Sequence, residues 1–172
     1  MADDPERIAP LTQLQLAIRL LQGTHVDLRA ELEAACAEHP ALRWRRPTPA
    51  EVDVELRVAD DGAITYTLAD DGALSVDEAA AEGEQAVAAW LVRAVDRRRA
   101  SIARLVERLV AHQAPFLRGE AAEPVALGQA AIADELGFHA STVERLLQRK
   151  RLRITPAQGE ARVVALATLA SP

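Results

Sequence analysis

Residues 139–153, HASTVERLLQRKRLR, gather side chains that can hydrogen-bond both to a polyanion and to flat heterocycles. On a short helix, His139, Ser141, Glu144, Arg145 and Gln148 would point outward, with Val143 and Leu146 facing the other way and Thr142 a further candidate contact. Their chemistry is that of base-edge reading. Arginine offers two donors to guanine, glutamine pairs a donor and an acceptor with adenine, and glutamate accepts from cytosine. Glu144 could equally repel phosphate. Arg149, Lys150, Arg151 and Arg153 follow at once, as cations suited to phosphate oxygens, which position a protein without reading sequence.

A second basic cluster, Arg97, Arg98 and Arg99, fits either phosphate contact or a solvated face. The other chemistry-bearing residues are sparser. Cys36 and His39 form an isolated C-x-x-H pair, whereas zinc takes four ligands, so a helix face and a helix end explain them better. The pairs Asp60-Asp61 and Asp70-Asp71 lack the alternating ligands of a calcium loop and read as solvated turn residues. His25 and His112 have no partner that sequence alone can name. No GxxxxGK phosphate cradle occurs, no metal or cofactor is implied, and an enzyme is the weakest reading.

The charge distribution agrees with the position of these cations. The net charge of −6 divides into 7 Lys/Arg against 18 Asp/Glu in residues 1–86 and 13 against 8 in residues 87–172, balances of −11 and +5. The back half favours phosphate and the front half disfavours it. Aromatic residues make up only 3%, which favours packed helices. The absence of a long apolar run or a secretory leader, with a single cysteine, gives the expectation of a soluble cytoplasmic protein with no membrane contact.

Helices must position these residues. LTQLQLAIRLLQ places Leu11, Leu14, Ile18 and Leu21 on one side, widened by Leu16 and Leu20. Gly23 breaks the pattern. Thr24 with Asp27 resembles a capping box for a second helix, which carries Leu28, Leu32 and Cys36 and stops at Pro40. RWRRPTPAE reads as a linker. Val52, Val54, Leu56 and Val58, then Ile64, Tyr66 and Leu68, alternate around an Asp61-Gly62 turn, the pattern of a β-hairpin. From Ser75, with Glu78 as capping partner, helical periodicity begins, with Gly83 a candidate interruption. A single helix over residues 85–113 would be roughly 43 Å long. Pro115, Gly119 and Pro124 mark a connection. Ile132, Ala133 and Leu136 then fit a first short helix, Gly137 a tight turn, and Phe138, Val143 and Leu146 the angle before a second: a helix-turn-helix, ended by the basic run RKRLR.

The expected fold is therefore mainly α, with an N-terminal helical hairpin, a short β-hairpin, one long helix and a helix-turn-helix. Its segments run as 1–42 regulatory helical region, 43–74 linker and β-hairpin, 75–119 long helix, 120–158 helix-turn-helix DNA-binding domain and 159–172 tail.

Several of these stretches, in order, resemble one family, the bacterial sigma-54 RNA polymerase factors. LTQLQLAIRLLQ with LRAELEAACAEHPAL is similar to the family's regulatory region. EVDVELRVADDGAITYTLADDGAL resembles the segment that precedes its extra-long helix. AWLVRAVDRRRASIARLVERLVAHQAPFLRGE and VALGQAAIADELGFHASTVERLLQRKRLRITPAQG resemble the extra-long helix and the helix-turn-helix. The family's core-binding domain and C-terminal promoter-reading box have no counterpart, so the resemblance implies an abridged sigma factor. Ala140 and Glu144 depart from the family's usual Glu and Ser/Thr.

The resemblance implies promoter DNA, core RNA polymerase and an ATPase-type activator as partners. Leu11, Leu14, Gln15, Ile18 and Leu21 of the first helix would engage a protein groove, unless Leu14, Ile18 and Leu21 are simply core. The different-class alternative is an interaction module that sequesters activator or polymerase without sequence-specific DNA binding.

Overall fold

The computed structural model describes residues 10–170, with side chains from Thr12 onward. The chain forms two compact units. Among the described residues, one comprises 10–49 and 70–99, the other 50–69 and 100–170.

In the first unit, α1 (Pro10–Gln22) and α2 (His25–Glu38) form the expected hairpin. The capping box is present: the Thr24 hydroxyl accepts from the Asp27 N–H at 3.2 Å, and the Asp27 carboxylate accepts from the Thr24 N–H at 2.9 Å. Leu20, Leu28 and Leu32 pack with Ala94 and Val95, flanked by Leu16, Trp44, Leu74 and Trp90. Full burial of each leucine contributes about 1.5–3 kcal/mol.

The basic linker expected after α2 begins instead as a strand. β1 (Leu42–Arg45) pairs antiparallel with β4 (Ala73–Val76), joining Leu42 to Val76 and Trp44 to Leu74. Ser75 therefore lies in a strand rather than at a helix start. A local capping pattern is overridden by pairing with a segment some thirty residues away. Gly72, at φ +80°, makes this corner possible, since a Cβ there would lie 2.2 Å from the Arg45 carbonyl oxygen.

The long helix α3 (Glu82–Leu117) has 36 residues, longer than expected at roughly 54 Å. Gly83 does not interrupt it, and it ends just past Pro115. Its first half belongs to the first unit and its second half to the other.

In the second unit, β2 (Val54–Val58) and β3 (Ile64–Leu68) form the expected hairpin, with Gly62 at φ +81° in its turn. After α4 (Gln129–Leu136) and α5 (Ala140–Leu147) come two further strands, β5 (Arg151–Thr155) and β6 (Arg162–Ala165), then a 3₁₀ turn over Leu166–Ala170. The sheet order is β3-β2-β5-β6, with β5 parallel to β2 and antiparallel to β6. The expectation of a mainly α fold with one hairpin is thus corrected to a mixed α/β fold with two small sheets. RKRLR does not extend a helix. Leu152 and Ile154 alternate into the core opposite Val54 and Leu56, a period of two rather than 3.6.

Candidate nucleic-acid interface

α4 and α5 pack on each other, and Ile132 and Ala133 of the first and Val143 and Leu146 of the second are buried. Their corner is set by Gly137 in the left-handed region at φ +66°. Phe138 N–H donates to the Ala133 carbonyl at 2.8 Å and Gly137 N–H to the Asp134 carbonyl at 3.3 Å, the paired bonds of a Schellman ending. α5 then starts at His139, whose side chain makes no capping bond.

The outward face of α5 is open. His139, Ser141, Glu144 and Gln148 are exposed, while Thr142 and Arg145 are half-buried. Arg145 Nη1 donates to Ser141 Oγ, one turn earlier, at 3.5 Å. The core positions Val143 and Leu146 point away from this face, as expected. Arg149, exposed at φ +58°, turns the chain out of α5, and Arg151 is exposed at the start of β5.

Three expected contact residues are placed otherwise. Lys150 is completely buried, because it falls on the same side of the alternating run as Leu152 and Ile154. Arg98 is also buried. It sits on the apolar stripe of α3 between Ala94 and Ile102, where Nε donates to the Leu20 carbonyl at 2.7 Å, Nη2 to the Gly23 carbonyl at 3.1 Å and Nη1 to Asp71 at 3.2 Å. Neither cation is available to phosphate. Arg153 is half-buried and tied to Glu51 and, at 3.2 Å, to Glu55, so its charge is already matched. Arg97 is exposed.

Asp71 corrects the reading of the acidic pairs as solvated. Asp60, Asp61 and Asp70 are exposed, but Asp71 is buried against Arg98. Burial pushes its carboxyl above the usual range, against the pull of Arg98.

Sequence reasoning missed the residues that hold the corner. Arg104, Arg108 and His112 rise one turn apart on α3. Arg104 donates to the Leu136 carbonyl at 2.6 Å and lies 4.7 Å from the centre of the Phe138 ring. Arg108 and His112 both bond the Glu135 carboxylate, His112 at 3.0 Å. Together they hold that carboxyl below its usual range, His112 most strongly. The i, i+4, i+8 spacing of these bases was visible in the sequence, but their partners lie more than twenty residues away.

Of the expected partner-binding positions on α1, Leu14 is 58% exposed and Gln15 is exposed, while Ile18 and Leu21 are half-buried. The Leu11 side chain lies outside the described residues. The fully buried α1 position is Leu20, with half-buried Leu16 packed against the same cluster. Among the described residues no cluster of His, Cys, Asp or Glu is placed to hold a metal ion, and no helix is long and apolar enough to cross a membrane.

A family model described as the sigma-54 DNA-binding domain matches residues 78–163, half of the chain. The chain belongs to the sigma-54 DNA-binding domain family. The matched stretch takes in α3, α4, α5, β5 and the start of β6. A relative, the RNA polymerase sigma-54 factor of Xanthomonas euvesicatoria, is 38% identical over 73 residues, covering 41% of this chain and 15% of that protein. The chain thus corresponds to a small part of that sigma-54 factor's length.

Proposed function

We propose that this sigma-54 family chain is a transcription factor that binds promoter DNA through α4 and α5, laying α5 in the major groove. Exposure of one face of α5, inside the family-matched stretch, carries this reading. His139, Ser141 and Thr142 stand at the N-terminal end of α5, where helices of this type meet base edges. Arg145 offers paired donors to guanine and Gln148 a donor and an acceptor to adenine. The uncapped first turn of α5 leaves amides and a positive dipole end for phosphate. Arg149 and Arg151 place the helix on the backbone without reading sequence.

Gel-shift titration of the full chain tests this. Arg145→Ala is expected to cost about 1–3 kcal/mol on the preferred duplex, and Arg151→Ala to weaken all duplexes alike. No loss for either change would refute the assignment.

Exposed Leu14 and Gln15 on α1, flanked by half-buried Ile18 and Leu21, fit a helix-in-groove contact with RNA polymerase or its ATPase activator. A pull-down against both, with Leu14→Asp as the variant, is expected to lose the partner while the fold survives. Glu144 favours a second reading, an interaction module without sequence-specific DNA binding, because its exposed carboxylate sits in the middle of the α5 face. DNA affinity that barely falls with salt would favour this second reading.

A further inference from the structure

Two helices of eight residues each carry the proposed DNA face. Helices below about 12–15 residues are marginal alone, so their orientation must come from what they are fastened to. Burial of Ile132, Ala133, Val143 and Leu146 holds them to the protein but is non-directional. Reading base edges is directional, and it tolerates displacements of only about 0.5 Å or 10–20°. Some set of polar contacts must fix the tilt of α5.

α3 supplies such a set at one place. The Leu136 carbonyl is among the last of α4 and has no partner within the helix, and Arg104 takes it at 2.6 Å. The same guanidinium lies 4.7 Å from the Phe138 ring, between the left-handed Gly137 and the first residues of α5. One turn on, Arg108 holds Glu135, and a turn further His112 shares that carboxylate at 3.0 Å. A cation at a helix C-terminus is also favoured by the helix dipole. Thus three side chains spaced one turn apart on α3 grip three features of the corner: a carboxylate, a terminal carbonyl and an aromatic ring.

We propose that Arg104, supported by Arg108 and His112, is a positioning residue that sets the angle at which α5 is presented, and so governs sequence discrimination without touching DNA. The proposal rests on the DNA-binding reading above. It separates Arg104 from Arg149 and Arg151, whose role there is to meet phosphate.

The test uses the full chain, a duplex selected from randomised DNA and a scrambled duplex. Arg104→Ala is expected to lower the ratio of preferred to scrambled affinity about tenfold, while scrambled affinity stays within about twofold and the salt slope is unchanged. Arg104→Lys, which keeps the carbonyl bond but not the planar stacking, is expected to recover part of the ratio. An equal loss on both duplexes with a shallower salt slope would make Arg104 a phosphate contact and overturn the proposal, as would an unchanged ratio. If the wild-type chain discriminates no duplex, it is the DNA-binding reading that fails. Positioning is then read by amide exchange. Faster exchange in α4 and α5 of Arg104→Ala, with β2 and β5 unaltered, supports it. Unaltered exchange in the helices, or loss of protection throughout the sheet, overturns it.

Discussion

The molecule contains two helix corners built on one plan and finished differently. At the α1–α2 corner, Arg98 of α3 takes the terminal carbonyls of Leu20 and Gly23. At the α4–α5 corner, Arg104, six residues further along the same helix, takes the terminal carbonyl of Leu136. The first guanidinium is buried and the second exposed. The α2 start is closed by the Thr24–Asp27 capping box, while the α5 start has no side-chain cap. At the first corner a buried guanidinium meets the carbonyls and a side-chain box closes the helix start, which marks it as architecture. The second leaves a helix start and an arginine-bearing face to the outside, which is what a groove-binding helix requires.

The comparison can be broken most severely at Arg98. Arg98→Ala leaves the Leu20 and Gly23 carbonyls and the Asp71 carboxylate without their buried partner, and should cost roughly 3–5 kcal/mol in urea unfolding. Asp71→Asn should cost much less, because burial already opposes its charged form. If the two changes cost the same, the ion pair rather than the carbonyl bonds would be holding the corner. The caps give the next test. Thr24→Ala should destabilise by about 1 kcal/mol, whereas His139→Ala should leave stability unchanged and alter only DNA affinity. A loss of stability for His139→Ala would erase the contrast.

The smallest effect concerns acid. The folded-state carboxyl of Glu135 lies below its ordinary value of 4.5, so its contribution is fully present above that pH and is lost as pH falls through the depressed value. Amide protection in α4 should therefore decline on acidification in the wild-type chain. Glu135→Gln should remove that acid dependence, and its persistence in the variant would assign it to other groups.

Much of the fold was legible because its patterns are local. The Thr24–Asp27 box, the Asp61-Gly62 turn and Gly137 each announce themselves within four residues, and all three stand where expected. The β1–β4 ladder was not legible, since Leu42 and Trp44 meet Val76 and Leu74 only through tertiary pairing. RKRLR was less legible for a different reason: its dense charge masks the alternation of Lys150, Leu152 and Ile154, which points a lysine inward. Arg98 carried a comparable signal, at the spacing of Leu91, Ala94, Ile102 and Leu105 along α3. In both places position in the periodic pattern, not charge, decided where the side chain went. The α5 face was readable because polar and apolar residues separate cleanly around Val143 and Leu146. The clamp of Arg104, Arg108 and His112 became visible only with its distant partners in place.

Amide chemical-shift mapping of the full chain against a selected duplex addresses the central claim most directly. The account predicts that the largest shifts fall on His139, Ser141, Arg145, Gln148 and Arg149, with α1 and α2 unmoved. Shifts concentrated on α1 and α2, or no shifts on α5 at saturating DNA, would contradict it.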